Sequence, residues 1–227
     1  MLNLKMTKRE FIVRLLVFFI GLAVLSFGIA LIIEANLGVS GWDVLHIGLY
    51  KTFGLTIGTW SQIVGLVVIF LTLIIDRKII SIGTVLNMIF IGIFIDLFLY
   101  LLPTGEEWLI QYSFLFFGLI IMGSGAGIYI TAKLGPGPRD SLMIAFSRKY
   151  KLSVSKVKTV MELLVMLIGY LLGGPVFIGT LVISLLIGPI MQYSLKWWEI
   201  RLEPLFNQVK NISSVNKIKQ ISKEEIL

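Results

Sequence analysis

Asp43 and Asp140 each stand five residues after a Leu-Gly pair, in Ala35-Asn36-Leu37-Gly38-Val39-Ser40-Gly41-Trp42-Asp43 and in Ala132-Lys133-Leu134-Gly135-Pro136-Gly137-Pro138-Arg139-Asp140. Each phrase follows a long apolar run. Gly38 and Gly135 permit positive φ, and Gly137-Pro138 is a strong turn signal, so a helix break is expected at both places. A short helix then begins. In the first copy Ser40 is the N-cap with Asp43 three positions on; in the second Gly137 takes that place, Pro138 is N1 and Asp140 is again N3. Two chemistries suit these aspartates. In one they only complement the positive end of a short helix, worth about 0.3–1 kcal/mol each. In the other the two helix N-termini face a shared cavity and, with Trp42, His46 and Arg139, bind a polar or anionic group.

Glu162 lies several residues into an apolar run, in Met161-Glu162-Leu163-Leu164, where an ionised carboxylate facing lipid is costly. It must face protein or water, or carry a proton, which makes it a candidate coupling site for H⁺; a buried hydrogen bond to Ser, Thr or Lys158 is the structural alternative. Asp96 is a second candidate for ion coupling, with solvation near a helix end as the plainer reading. Gly123 and Gly127, and Gly169 and Gly173, have the spacing that lets helices approach closely, within the chain or between two copies of it. Gly38-Val39-Ser40-Gly41 fits the pattern around the serine of rhomboid proteases. However, the second copy puts glycine where Ser40 stands, which suits a capping role, and His46, the chain's one histidine, lies only six residues from Ser40. No catalytic residue is expected.

These residues sit in a repeat. A shift of 97 positions lays Gly28 on Gly125, Leu37 on Leu134, Gly38 on Gly135, Asp43 on Asp140 and Leu45 on Leu142. After a one-residue deletion, a shift of 96 lays Ile82-Gly83-Thr84 on Ile178-Gly179-Thr180 and Ile91-Gly92 on Ile187-Gly188. The unit is nearly half the protein.

With 57% hydrophobic and 15% charged residues and a mean hydropathy of +0.94, a 227-residue chain cannot coat a soluble globule. Six apolar stretches reach or approach the roughly 20 residues a membrane-spanning helix needs. They lie near Phe11 to Ile33, Thr59 to Ile75, Ile79 to Leu102, Trp108 to Ala132, Val157 to Leu172 and Phe177 to Trp197. Gly41 to Phe53 and Pro138 to Tyr150 are too short to span and read as re-entrant or interfacial helices. The first stretch is read as retained, because it is longer than a signal sequence and lacks a small-x-small cleavage site. With six spans, 18 of the 20 Lys and Arg residues share one side, so both termini are expected in the cytoplasm. The basic balance then needs anionic lipid headgroups rather than nucleic acid. The absence of cysteine excludes disulfides and thiolate metal sites, and one histidine leaves no room for a histidine metal cluster; no metal or cofactor is expected.

Three spans per repeat is an odd number, so the second repeat enters the membrane from the opposite side. Inverted repeats of this kind recur among secondary transporters, whose sites lie near the midplane at broken helices. The expected fold is therefore an all-α membrane protein of two inverted three-helix repeats. Residues 1–10 form a cytoplasmic N-terminus, 11–102 the first repeat, 108–198 the second and 199–227 a basic cytoplasmic tail.

The Leu37-to-Leu49 phrase, Thr56-Ile57-Gly58-Thr59-Trp60, Ile82-Gly83-Thr84-Val85-Leu86-Asn87 and Leu134-to-Met143 together resemble the bacterial YczE/YyaS/YitT-type integral membrane proteins. The resemblance covers about residues 10 to 200. It implies a bacterial cytoplasmic-membrane protein and brings no agreed substrate or site residues. Some members are linked to lipopeptide-type secondary metabolites, which suits an exporter or an accessory factor. The expectation is a small transporter in the lipid bilayer for an unidentified solute, working as a homodimer. The alternative is a non-transporting protein that stabilises or regulates a membrane-associated protein partner.

Overall fold

The computed structural model describes residues 6–224, and of residues 210–224 the backbone alone. Lys5 lies outside the described residues. So do the side chains of Lys210, Lys217, Lys219 and Lys223 in the basic tail.

Eight helices follow one another, with no strand among the described residues: α1 Lys8–Glu34, α2 Gly41–Phe53, α3 Ile57–Ile75, α4 Ile82–Leu101, α5 Trp108–Thr131, α6 Pro138–Tyr150, α7 Val154–Leu171 and α8 Ile178–Glu224. Hydroxyl caps set several starts. Thr7, Thr56, Ser81 and Ser153 each accept from the backbone N–H three residues on, and Ser81 with Thr84 closes a reciprocal box. Ser40 departs from that pattern: it caps α2 by position, but its hydroxyl donates to the Asp43 carboxylate at 2.5 Å instead of accepting from backbone. The breaks come at Gly38 and Gly135, with φ of 107° and 130°.

Among the described residues, α1, α3, α4, α5 and the Ile178–Val209 part of α8 are long and apolar enough to cross a membrane. The fifth expected span differs. It corresponds to α7, only 18 residues long and carrying Lys156, Lys158 and Glu162. The boundary expected near Trp197 is also missing, since α8 runs on as one helix through Pro189 and Pro204.

α1 and α5 cross at the centre through glycines. A Cβ on Gly28 would strike the backbone of Met122, and one on Gly125 would strike the backbone of Leu25. The contact is reciprocal under the 97-residue shift, because Leu25 corresponds to Met122 as Gly28 does to Gly125. Around this pair α4 packs on α1 and α8 on α5, while each short helix crosses over: α2 lies on α7, and α6 on α3. The breaks cross over too. Gly179 N–H at the start of α8 donates to Leu37 O (2.7 Å), and Gly83 N–H at the start of α4 donates to Leu134 O (3.2 Å).

The core follows these crossings, with Phe18, Leu22, Ile29, Ala126 and Tyr129 at one end of α1–α5 and Ile32, Val39, Val44, Leu115 and Ile183 at the other. On the outside of α3, α4, α7 and α8 large apolar side chains stand exposed, among them Phe70, Ile74, Leu101, Leu167 and Leu185. That surface contacts lipid, since water would penalise so much exposed apolar area. Near the start of α1, Glu10 and Arg14 form a buried pair at 3.1 Å; Arg14 also donates to Ala132 O and lies over the Phe206 ring.

Candidate functional site

The crossing of the short helices brings their first turns together. Asp43 at the head of α2 and Arg139 at the head of α6 approach to 3.7 Å. Asp43 is buried; its second oxygen takes the Ser40 hydroxyl, and His46 Nδ1 lies 3.6 Å from the first, beyond hydrogen-bonding length. The carboxylate thus sits between serine and histidine, and Ser40 and His46 do not address each other. The Arg139 guanidinium also lies over the Trp42 ring, 5.0 Å from its centroid.

Beside this cluster is a cavity of about 200 Å³. It touches every helix. Trp42 and Ser40 from α2 and Arg139 and Asp140 from α6 form one part of its wall, Asn87 and Tyr129 another, and Lys158 and Glu162 a third. The remainder is apolar and includes Met88, Met122, Met143, Met161 and Met191.

Of the residues singled out for binding, Trp42, Arg139 and Asp140 reach the cavity, whereas Asp43 and His46 stand behind its wall. Asp140 accepts from the Tyr129 hydroxyl at 3.4 Å. Glu162 borders the cavity with Lys158 at 3.9 Å. Asp96 lies elsewhere. Its two oxygens take the Gly58 N–H (2.7 Å) and the Thr56 hydroxyl (2.5 Å), so it binds α4 to the start of α3. A carboxylate there complements the free N–H groups of a helix start.

The glycines divide likewise. Gly123 and Gly127 of α5 abut Ile190 and Ser194 of α8, and Gly169 of α7 abuts Leu45 of α2. A Cβ on Gly173 would meet nothing within 4 Å; at φ 84° it is a turn residue just past the end of α7, its carbonyl accepting from Lys51. Tyr129, Asn87, Ser61 and the five methionines were missed by sequence reasoning. Single residues in apolar helices carry no signal that says which face looks inward.

The cavity's walls are unequal. Along the seam between α3 and α4, a Cβ on Gly92 would collide with Gly58 O, Gln62 donates to Ile89 O (2.7 Å), and Asp96 clamps the end. At the corresponding seam, α7 and α8 barely touch. Gly188, the counterpart of Gly92, has nothing within 4 Å of a Cβ position.

Comparison with known proteins gives the family. Residues 12–196 match a family model described as a family of unknown function, DUF6198. The chain is 39% identical over 189 residues to the uncharacterized membrane protein YczE of Bacillus subtilis, covering 83% of this chain and 88% of that protein. It is 32% identical over 174 residues to an uncharacterized protein of Haemophilus influenzae (77% and 79% covered), and 30% identical over 165 residues to the uncharacterized protein YyaS of Bacillus subtilis (71% and 82%). No solved structure matches. The chain belongs to this family, and it is a membrane protein.

Proposed function

We propose that this member of the YczE and YyaS family is a small transporter of six spans in two inverted repeats, α1–α4 and α5–α8, with its solute site where the heads of α2 and α6 meet. Both termini lie in the cytoplasm. The reciprocal contacts of Gly28 with Met122 and of Gly125 with Leu25 support a two-fold axis relating the repeats. The crossed bonds from Gly83 and Gly179 to the opposite break support it as well. With six spans, α7 crosses despite Lys156, Lys158 and Glu162, because Lys156 lies near its cytoplasmic end while Lys158 and Glu162 border the cavity.

One observation carries the reading: the two seams beside the cavity are equivalent in sequence position and opposite in state, α3–α4 zipped and α7–α8 parted. A scaffold has no need of this difference. A transporter does, because alternating access is the exchange of one open seam for the other around a fixed site. In this topology the zipped seam is the outer one and the parted seam faces the cytoplasm. In the opposite state α7 and α8 close, with Ser155 against Gly188 as Gly58 is against Gly92, and α3 and α4 part. Because Ser40 and His46 do not address each other, the polar cluster suits binding rather than nucleophilic catalysis.

The test uses the cysteine-free chain. Single cysteines replace Ser40 and Ser61, both on the cavity wall, and are challenged with an impermeant thiol reagent on intact cells and on inverted vesicles. Labelling from the cytoplasmic side, with outside labelling that rises when Asp96→Asn and Gln62→Ala loosen the outer seam, is the expected result. Protection from both sides in every background would favour the non-transporting accessory role.

A further inference from the structure

Four charged side chains border the cavity: Arg139, Asp140, Lys158 and Glu162. They make two positive and two negative charges, and a further carboxylate, Asp43, faces Arg139 from behind the wall. None is committed to another by a short contact. Lys158 and Glu162 are 3.9 Å apart, Arg139 reaches Asp43 only at 3.7 Å, and Asp140 has the neutral Tyr129 hydroxyl at 3.4 Å. Among the described residues the charged groups of Arg139, Lys158 and Glu162 form no hydrogen bond, and their side chains are 32%, 41% and 40% exposed, open to an incoming solute.

Charge balance decides what such a cavity accepts. Both signs of charge face the cavity, so a solute carrying both finds a partner for each end, whereas a singly charged solute leaves the groups of one sign unmatched. Arg139 and Asp140 are neighbours in the first turn of α6, so they can meet the two charges of a compact head. Lys158 and Glu162 repeat that pair of charges on α7. The rest of the wall is apolar, and its five methionines adapt to different apolar shapes. A cavity of roughly 150 Å³ holds a benzene molecule, so about 200 Å³ has room for a four- to six-carbon side group with a compact head.

We propose that the cavity takes a small zwitterion with an apolar side group, of the α-amino-acid class, its carboxylate directed to Arg139 and its ammonium to Asp140. Lys158 and Glu162 add a second pair of charges from α7. This assignment rests on the transport reading for its purpose, but it is tested separately.

The experiment measures thermal stabilisation of the purified full chain by L-leucine and by two analogues that each lack one charge, 3-methylbutylamine and 4-methylpentanoate. Leucine should stabilise at concentrations at least tenfold below either analogue, a difference of about 1.4 kcal/mol. In Asp140→Asn, leucine should weaken at least tenfold while 4-methylpentanoate binds no worse than to the parent chain, a change of preference that mere loosening of the fold would not produce. Lys158→Met should weaken both leucine and 4-methylpentanoate. An analogue that matches leucine, or the absence of any leucine effect, overturns the zwitterion assignment. If the cavity cysteines nevertheless label from both sides, transport stands without it; if leucine binds and they label from neither side, the binding site stands and transport falls.

Discussion

The carboxylate of Asp43 and the guanidinium of Arg139 lie 3.7 Å apart, joining the first turn of one short helix to the first turn of the other. The two partners differ in surroundings. Asp43 is buried, with 3% of its side chain exposed, while Arg139 retains 32% and reaches the cavity. Removing Arg139 strands a buried charge, which costs up to about 3–5 kcal/mol; removing Asp43 leaves a cation that can turn toward cavity water. Arg139→Gln should therefore lower the melting temperature more than Asp43→Asn. The double variant should lie above Arg139→Gln alone, and a double-mutant cycle that is additive would sink this account.

Paired cysteines at Ser155 and Gly188 report on the parted seam. A disulfide needs Cα atoms within roughly 7 Å. In the conformation described here the pair should resist oxidation, and it should cross-link readily when Asp96→Asn and Gln62→Ala weaken the outer seam. A cross-linking rate on denaturing gels that ignores those substitutions would contradict the exchange of seams.

Glycines at equivalent positions should respond alike where α1 crosses α5 and oppositely at the two seams. Gly28→Val and Gly125→Val each drive a side chain into the backbone of the facing helix, where overpacking costs about 1–3 kcal/mol or more, so both should lower the yield of folded protein to a similar degree. Gly188→Ala meets open space and removes a weak helix former, worth about 0.8–1 kcal/mol in a helix interior. It should melt at or above the parent temperature, while Gly92→Ala, aimed at Gly58 O, should melt below it. Equal effects at Gly92 and Gly188 would show that both seams are closed in solution.

Asp96 separates a seam clamp from a coupling site. It bridges Thr56 and the Gly58 N–H outside the cavity, so Asp96→Asn should reduce stability by about 1.5–3 kcal/mol, the range for a hydrogen bond to a charged group, without altering leucine's preference over its singly charged analogues. A changed preference would mean that Asp96 acts on the cavity and is more than a seam clamp.

Much of this protein follows from local sequence. The apolar runs, the starts of α2 and α6 at Gly41 and Pro138, and the positive φ of Gly38 and Gly135 are readable because turn chemistry and hydrophobic length act within a few residues of chain. Family membership is legible for the same reason, carried by the two Leu-Gly phrases. What tertiary structure alone decides is which faces meet. That Asp96 caps α3 while Asp140 borders a cavity depends on helix pairing across 38 residues in one case and on the crossing of α6 over α3 in the other. Both are aspartates near helix ends, and no local pattern distinguishes them. The Gly92 and Gly188 pair makes the same point: the two share a repeat position in the sequence, yet one is clasped by Gly58 O and the other faces open space, because long-range packing can break a symmetry that the chain's own repetition implies.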